Sequence, residues 1–371
     1  MIKRPFPLPL LAAALLVLPA AGCERADAAL PPSEEPSPEA SAPPAKATSA
    51  LVAVAGTGTA TATATATRAI LLSAVGDCTL AADHGMVRTP GTLPREFEDH
   101  GSDPAWFFSG VIEVLAQDDL TIANLETTLT NVLVPAIPGR PRFRGKPEYA
   151  AMLPAGSVEL VNFANNHSHD FGQQGYDETV RVVRAVGVGL FGNEFVDTRT
   201  IRGVEIVNLG FTGGDPVVLP EVVKRIKALK TASNLVIVSF HWGAEGVYDP
   251  NEVQLDLGHA AVDAGADLVI GTHPHVLQGI ETYKGRHILY SLGNFVFGGH
   301  GKPSDMDAVI YQEAFVEKDG RIGPGEMTII PVRISSVTTH NDYRPVILAG
   351  EERDRVLAKM QKLSEALPSR R

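Results

Sequence analysis

Two segments carry histidines at a spacing that could do chemistry: Phe240-His241-Trp242-Gly243 and Gly271-Thr272-His273-Pro274-His275. Each follows an apolar run, over 235–240 or 268–270, that reads as a buried strand, so the imidazoles fall where strands deliver side chains to one sheet edge. Pro274 stiffens its loop, and the rings of His273 and His275 leave it in fixed directions. Imidazoles gathered in this way point to a metal site.

Three more strand-like runs, over 69–75, 120–123 and 158–163, end at Gly76-Asp77, Asn124-Leu125-Glu126 and Asn165-Asn166-His167. Collected, Asp77, Glu126, Asn166, His167, His241, His273 and His275 offer carboxylate, amide and imidazole donors. That mixture suits manganese, iron or zinc and not a thiolate site. It suffices for one or two divalent ions, with Glu126 as the natural bridge. A bridged pair binds an oxyanion and activates a water for attack.

Each of these residues also has an ordinary reading. Taken singly, each histidine reads as a satisfied core residue; the grouping makes the case for metal. Asp77 and Glu126 could instead cap helices, and Asn166-His167 could serve a turn. Asp170 either orients the His167 ring or caps the next helix. Glu245 holds Trp242, a substrate amine or a loop salt bridge. Arg144 is either a planar fork for phosphate or carboxylate, or a solvated loop arginine. Trp242, Phe295 and Phe297 wall a substrate or belong to the core, and the glycine-rich loop 298–301 is a lid or a tight turn. Cys78 reads as a buried small residue, and His84, His259, His287 and His340 as structural or surface groups.

The elements that must position these groups alternate. Helical patterns are expected over 104–116, 175–186 and 252–264, with short strands over 188–191, 204–209 and 287–290. Strand alternating with helix implies a largely parallel α/β sheet covered on both faces. Runs over 309–316 and 327–334 flank the turn Lys318-Asp319-Gly320 and predict an antiparallel hairpin. A last amphipathic helix spans 351–367.

The front of the chain is different. Lys3 and Arg4, the apolar run 8–18 and Ala20-Ala21-Gly22 form an export signal over 1–22. Small residues ahead of Cys23 resemble a bacterial lipobox, although Ala20 stands where Leu is more usual; an ordinary signal peptide cut nearby is the other reading. The interrupted apolar run is too short for a permanent span, so a lipid on Cys23 would hold the chain on a membrane without crossing it. Residues 23–68, rich in Pro, Ala, Ser and Thr, read as a disordered tether before a folded domain over 69–350 and a C-terminal helix and tail over 351–371. With 44% hydrophobic residues the remainder can bury a full core, and the net charge of −11 excludes a nucleic-acid surface, so an anionic substrate must be captured locally.

Six motifs in order carry a resemblance: Gly76-Asp77, Asn124-Leu125-Glu126, Ala164-Asn165-Asn166-His167 with Asp170-Phe171-Gly172, His241-Trp242-Gly243 with Glu245, Gly271-Thr272-His273-Pro274-His275, and Tyr290-Ser291-Leu292-Gly293-Asn294-Phe295. Together, over about 70–298, the chain resembles the capsule-synthesis CapA family, associated with poly-γ-glutamate and similar to calcineurin-like metallophosphoesterases. The resemblance implies a four-layer α/β/β/α sandwich of the metallo-dependent phosphatase type, with metal ligands Asp77, Glu126, Asn166, His241, His273 and His275. It implies His167 as the catalytic, non-ligand histidine, and Asp170, Glu245, Arg144 and Asn294 as supporting or substrate-binding residues. It also implies an extracytoplasmic place, an anionic polymer or phosphoester substrate and a membrane capsule synthase as partner. One departure stands out. A typical metallophosphoesterase has a histidine two residues past its first aspartate, and here that residue is Thr79. A second ion would then be weak, absent, or completed by water or another side chain.

Overall fold

The parallel strands of this chain are apolar on both sides because both sides are covered. In a computed structural model, which describes residues 68–368 apart from 88, 137–140 and 319, all seven residues of the strand Leu235–His241 are buried. One sheet runs in the order Val346–Ile347, Arg321–Arg333, Asp307–Lys318, Ala69–Thr79, Leu120–Leu125, Leu160–Asn162 and Gly189–Phe191, with Asn294–Phe297 also paired to Ala69–Thr79. A second has the order Ile280–Tyr283, Arg286–Leu289, Leu268–Thr272, Leu235–His241, Val204–Thr212 and Asp197–Ile201. The expected mixed α/β body is what the chain forms.

Strand alternation sorts the cores. Ile70, Leu72, Leu120, Ile122 and Leu160 of the first sheet share one core with Ile206, Leu235, Ile237, Leu268 and Ile270 of the second. The residues between them face outward. Ala123, Leu125 and Val161 pack with Phe107, Leu115, Leu153 and Val183 of the neighbouring helices. Val236, Val238 and Val269 pack with Val222, Ile226, Leu255 and Ala261.

Within each sheet the central strands are parallel: Ala69–Thr79 with Leu120–Leu125 and Leu160–Asn162, and Val204–Thr212 with Leu235–His241 and Leu268–Thr272. Their C-terminal ends therefore share an edge. Gly76 makes this possible for the first strand, because a Cβ there would lie 2.0 Å from the carbonyl oxygen of Gly293.

The helix Glu252–Ala264 falls where its pattern predicts, opened by an Asn251/Gln254 capping box and closed by Gly265 at positive φ. The helix expected over 104–116 is broken into a 3-10 turn, Pro104–Phe108, and a single turn, Ile112–Leu115. Between them Gly110 lies under the Pro345 carbonyl, 2.3 Å from where a Cβ would be, so a distant loop occupies the path of a continuous helix. The strand expected over 69–75 continues to Thr79, with a register shift between Ala74 and Asp77. The hairpin is present as Asp307–Lys318 and Arg321–Arg333, while Asp319 of its turn lies outside the described residues.

The C-terminal helix Gly350–Glu365 buries Val356 and Met360 in the core between the sheets. The described residues all belong to one compact unit. The expected export signal, Cys23 and the tether as far as Thr67 lie outside them. Among the described residues, no helix is long and apolar enough to cross a membrane.

Candidate metal centre

Asp77, near the end of Ala69–Thr79, is fully buried, as is Glu126, directly after Leu120–Leu125. Asn124 holds the first: its Nδ2 donates to Asp77 Oδ1 at 2.7 Å, while its Oδ1 accepts from Asn162 Nδ2 at 3.0 Å and Asn165 Nδ2 at 3.4 Å. The other Asp77 oxygen accepts the backbone N–H of His273 at 3.2 Å, which ties the first sheet to the loop after Leu268–Thr272. Thr79 donates its hydroxyl to Glu126 Oε2 at 3.5 Å.

The second sheet supplies imidazoles. His241 Nδ1 lies 3.1 Å from Thr272 Oγ1, and that hydroxyl itself donates to the Phe240 carbonyl at 3.3 Å. Asn124 Nδ2 lies 3.2 Å from the same Nδ1. Nε2 faces Asn166 Oδ1 at 2.8 Å and Glu126 Oε1 at 3.3 Å. Asn294 treats His275 similarly, accepting from Nδ1 at 2.9 Å and donating to the His275 carbonyl at 3.1 Å, which leaves Nε2 at 3.7 Å from Glu126 Oε1. Such partners fix the direction of each ring.

His273 and His275 sit at φ 98° and 58°, in the left-handed region that residues with a Cβ avoid. Each such residue costs on the order of 1–3 kcal/mol and persists only where its surroundings hold it. Asp77 and Asn294 clamp the two ends of the loop, and Gly246 donates its N–H to the Pro274 carbonyl at 2.8 Å.

Donor atoms of Asp77, Glu126 and His275 lie within 4.8 Å of one another, and so do those of Glu126, His241 and His273. The two groups share Glu126. Glu126 Oε1 and His273 Nδ1 are buried without a hydrogen-bond partner. A buried acceptor left so costs about 1–3 kcal/mol, which a cation between the donors would relieve. The residues present therefore fit a divalent metal.

A family described as bacterial capsule synthesis protein PGA_cap matches residues 71–299. The chain belongs to this family. Among relatives, PGA biosynthesis protein CapA of Bacillus subtilis is 35% identical over 202 residues, 48% of this chain and 52% of that protein. Capsule biosynthesis protein CapA of Bacillus anthracis is 34% identical over 192 residues, 45% of this chain and 47% of that one. The chain spans about half the length of these two relatives. A crystal structure of a calcineurin-like phosphoesterase from Bacillus subtilis aligns at 13% identity and a TM-score of 0.46, over 80% of this chain and 97% of that one.

Charge in the PGA_cap centre is balanced by imidazole. Burial opposes ionisation of Glu126, but His275 and His241 outweigh it and hold the carboxyl down at about 2. Burial likewise works against charge on His275, yet Glu126 and Asp77 raise it to about 10. Burial and the neighbouring charge of His241 drop His273 to about 4.

His167 Nδ1 lies 2.7 Å from Asp170 Oδ2, which also accepts the Phe143 N–H at 2.8 Å, and its ring packs on Phe143 with centroids 4.4 Å apart. Asp170 thus orients the ring and does not cap the next helix, whose N-cap is Phe171 without a side-chain bond. Arg144 belongs to a small third sheet, half-buried on Phe143–Gly145, where it donates to the Thr130 carbonyl at 3.3 Å. Glu245 does not hold Trp242, whose Nε1 donates to the Tyr290 carbonyl at 2.8 Å within the core. Asn341 pins the 298–301 loop, its Nδ2 donating to the Phe297 carbonyl and its backbone N–H to the Gly301 carbonyl, an anchored turn. Burial pushes the Cys78 thiol up to about 12, which removes it as a nucleophile.

Sequence reasoning left Asn124, Asn162, Asn165 and Thr272 out of the centre. Asn124, Asn165 and Thr272 stand inside motifs that the sequence singles out, and the signal for Asn124 is an amide in a largely apolar strand.

Proposed function

We propose that this chain is a membrane-tethered, extracytoplasmic CapA-type protein whose metallophosphoesterase-like centre acts in synthesis, export or remodelling of an anionic capsular polymer such as poly-γ-glutamate. The observation that carries the reading is the sharing of Glu126 by two donor groups in which Glu126 Oε1 and His273 Nδ1 are buried without a hydrogen-bond partner. In this reading Asp77, Glu126 and His275 hold one divalent ion, and Glu126, Asn166, His241 and His273 a second, in a four-layer α/β/β/α body. Manganese, iron or zinc bound there would supply Lewis-acid polarisation of a phosphoryl or carboxyl-type oxygen and a more acidic water.

The chain's own residues do the rest. Asp170 holds the His167 Nδ1 proton, leaving Nε2 to deliver a proton to a leaving atom. Asn294 and Thr272 keep the ligand rings turned inward, and Asn124 keeps Asp77 in place. Cys23 carries the lipid and the tether lets the domain reach a capsule synthase in the membrane, with no nucleic acid involved.

Metal analysis and phosphoester assays on the purified chain test the proposal. Wild type should hold stoichiometric divalent metal and hydrolyse a generic phosphomonoester or diester, with turnover abolished in His273→Ala. A second reading, a non-catalytic scaffold or polymer-binding subunit, is favoured by Thr79, a weak oxygen donor beside Glu126. Bound metal without turnover on any ester, together with polymer or synthase binding, would select that reading.

A further inference from the structure

The two halves of the centre are unequal. Around Glu126, His241 and His273 a fourth donor is at hand, since Asn166 Oδ1 lies 2.8 Å from His241 Nε2. Around Asp77, Glu126 and His275 the chain offers three, and Asp77 is already engaged at both oxygens by Asn124 and the His273 N–H. A third group overlaps this one at His275: a Glu245 carboxylate oxygen lies within 4.8 Å of donor atoms on both His273 and His275. The mounting of Glu245 is specific. Gly243 and Gly246, at φ 84° and 72°, bracket a turn whose Gly246 N–H is bonded to the Pro274 carbonyl between the two histidines. Among the described residues Glu245 makes no salt bridge, and it faces a cavity of about 380 Å³ that it lines with His275, Asn294, His300 and Lys302.

Resting on the metal reading above, we propose that Glu245 is the fourth protein ligand of the ion held by Asp77, Glu126 and His275. Three carboxylates and one imidazole make this the harder half, suited to manganese or ferrous iron. The amide, single carboxylate and two imidazoles of the other half accept zinc equally well. The exposed turn leaves the harder ion open to the cavity, where an anionic group of the substrate would reach it.

The test titrates manganese(II) into the chelator-stripped full chain and counts bound ions by elemental analysis, for wild type, Glu245→Ala, Glu245→Gln and the Glu245→Ala/Thr79→His pair. Thr79 already points at Glu126, so a histidine there can substitute for the missing donor. Wild type should bind two ions. Glu245→Ala should keep one and bind the second at least about 100-fold more weakly, beyond what loss of an indirect partner costs, with Glu245→Gln between them. The added Thr79→His should restore the second ion. Two ions bound with unchanged affinity in Glu245→Ala overturn this proposal alone, as does loss of both ions that Thr79→His does not repair. A wild-type chain that binds no ion overturns the metal reading and this proposal with it.

Discussion

Two clusters of buried acids in this molecule are neutralised in opposite ways. Asp305 and Asp307 meet ordinary cations: Lys359 Nζ contacts both, at 2.5 and 2.9 Å, and Arg355 forks onto Asp307 at 2.7 and 2.8 Å. Asp77 and Glu126 are buried more deeply, and among the described residues no lysine or arginine pairs with either. Their neighbours are imidazoles and amides. Buried charge is tolerated only when paired or when it coordinates metal. The first cluster is therefore a structural clamp, fastening the helix Gly350–Glu365 to the strand Asp307–Lys318. The second has the neutralising partner of a binding site.

The sharpest way to break this contrast is Glu126→Gln, which removes the charge both donor groups share. Metal content should fall from two ions toward none, with affinity lower by more than about 100-fold. Wild type should also lose thermal stability on chelation, since an ion at 1,000 times its Kd stabilises by about 4 kcal/mol. Glu126→Gln should show no chelator shift. An unchanged metal content in this variant would place the two acids in the same class as Asp305 and Asp307.

Next in size is Asn124→Ala. It deprives Asp77 of its 2.7 Å donor and leaves Asn162 Nδ2 with only the Ala164 carbonyl at 3.3 Å, so metal affinity should drop about 10- to 100-fold. The stripped protein should lose about 1–3 kcal/mol in urea unfolding. An effect on stability alone would make Asn124 a core residue and not a positioning one.

Asn124 also marks where reading the chain as a string stops. The ligand candidates were legible because each lies at the end of a strand-like run, and a strand end has one place to be in a parallel sheet. Asn124, Asn162 and Thr272 occupy the last or next-to-last position of their strands too, but periodicity assigns them only a face and says nothing of which polar atoms will meet. Amides from Asn162 and Asn165 reach Asn124 across the sheet, a pairing set by register. The helix Leu219–Leu229 is absent from the sequence expectations, and the structure places Pro220 in its first turn, where proline is favourable. Gly110 is the third kind of failure, a local pattern overruled by a carbonyl 235 positions away at Pro345.

The clamp should respond to a different variable than the centre does. Replacing Lys359 with Met, or Asp307 with Asn, removes a partly exposed pair and should cost about 1–2 kcal/mol, between surface and fully buried pairs. Metal binding and the chelator shift should persist in both variants. If they vanish, the clamp and the centre are one cooperative unit and the contrast fails.

The smallest expected effect is the pH dependence of that clamp. Burial alone would raise the Asp307 pKa, but Arg355 and Lys359 outweigh it and hold the carboxyl below its ordinary value. A folded pKa below the unfolded value of about 3.9 means that the unfolded chain binds its proton first as pH falls. The stabilisation is then fully present above about pH 3.9 and disappears as pH falls through the folded value. Wild type and Asp307→Asn should thus differ in Tm by a constant amount from pH 7 down to about 5, with the gap closing as the solution is acidified further. Chelator should be present throughout, so that ligand protonation in the centre does not contribute. A gap that stays open at pH 2 would mean that Asp307 stabilises the helix through packing and hydrogen bonds that survive protonation, and would move this cluster out of the ion-paired class.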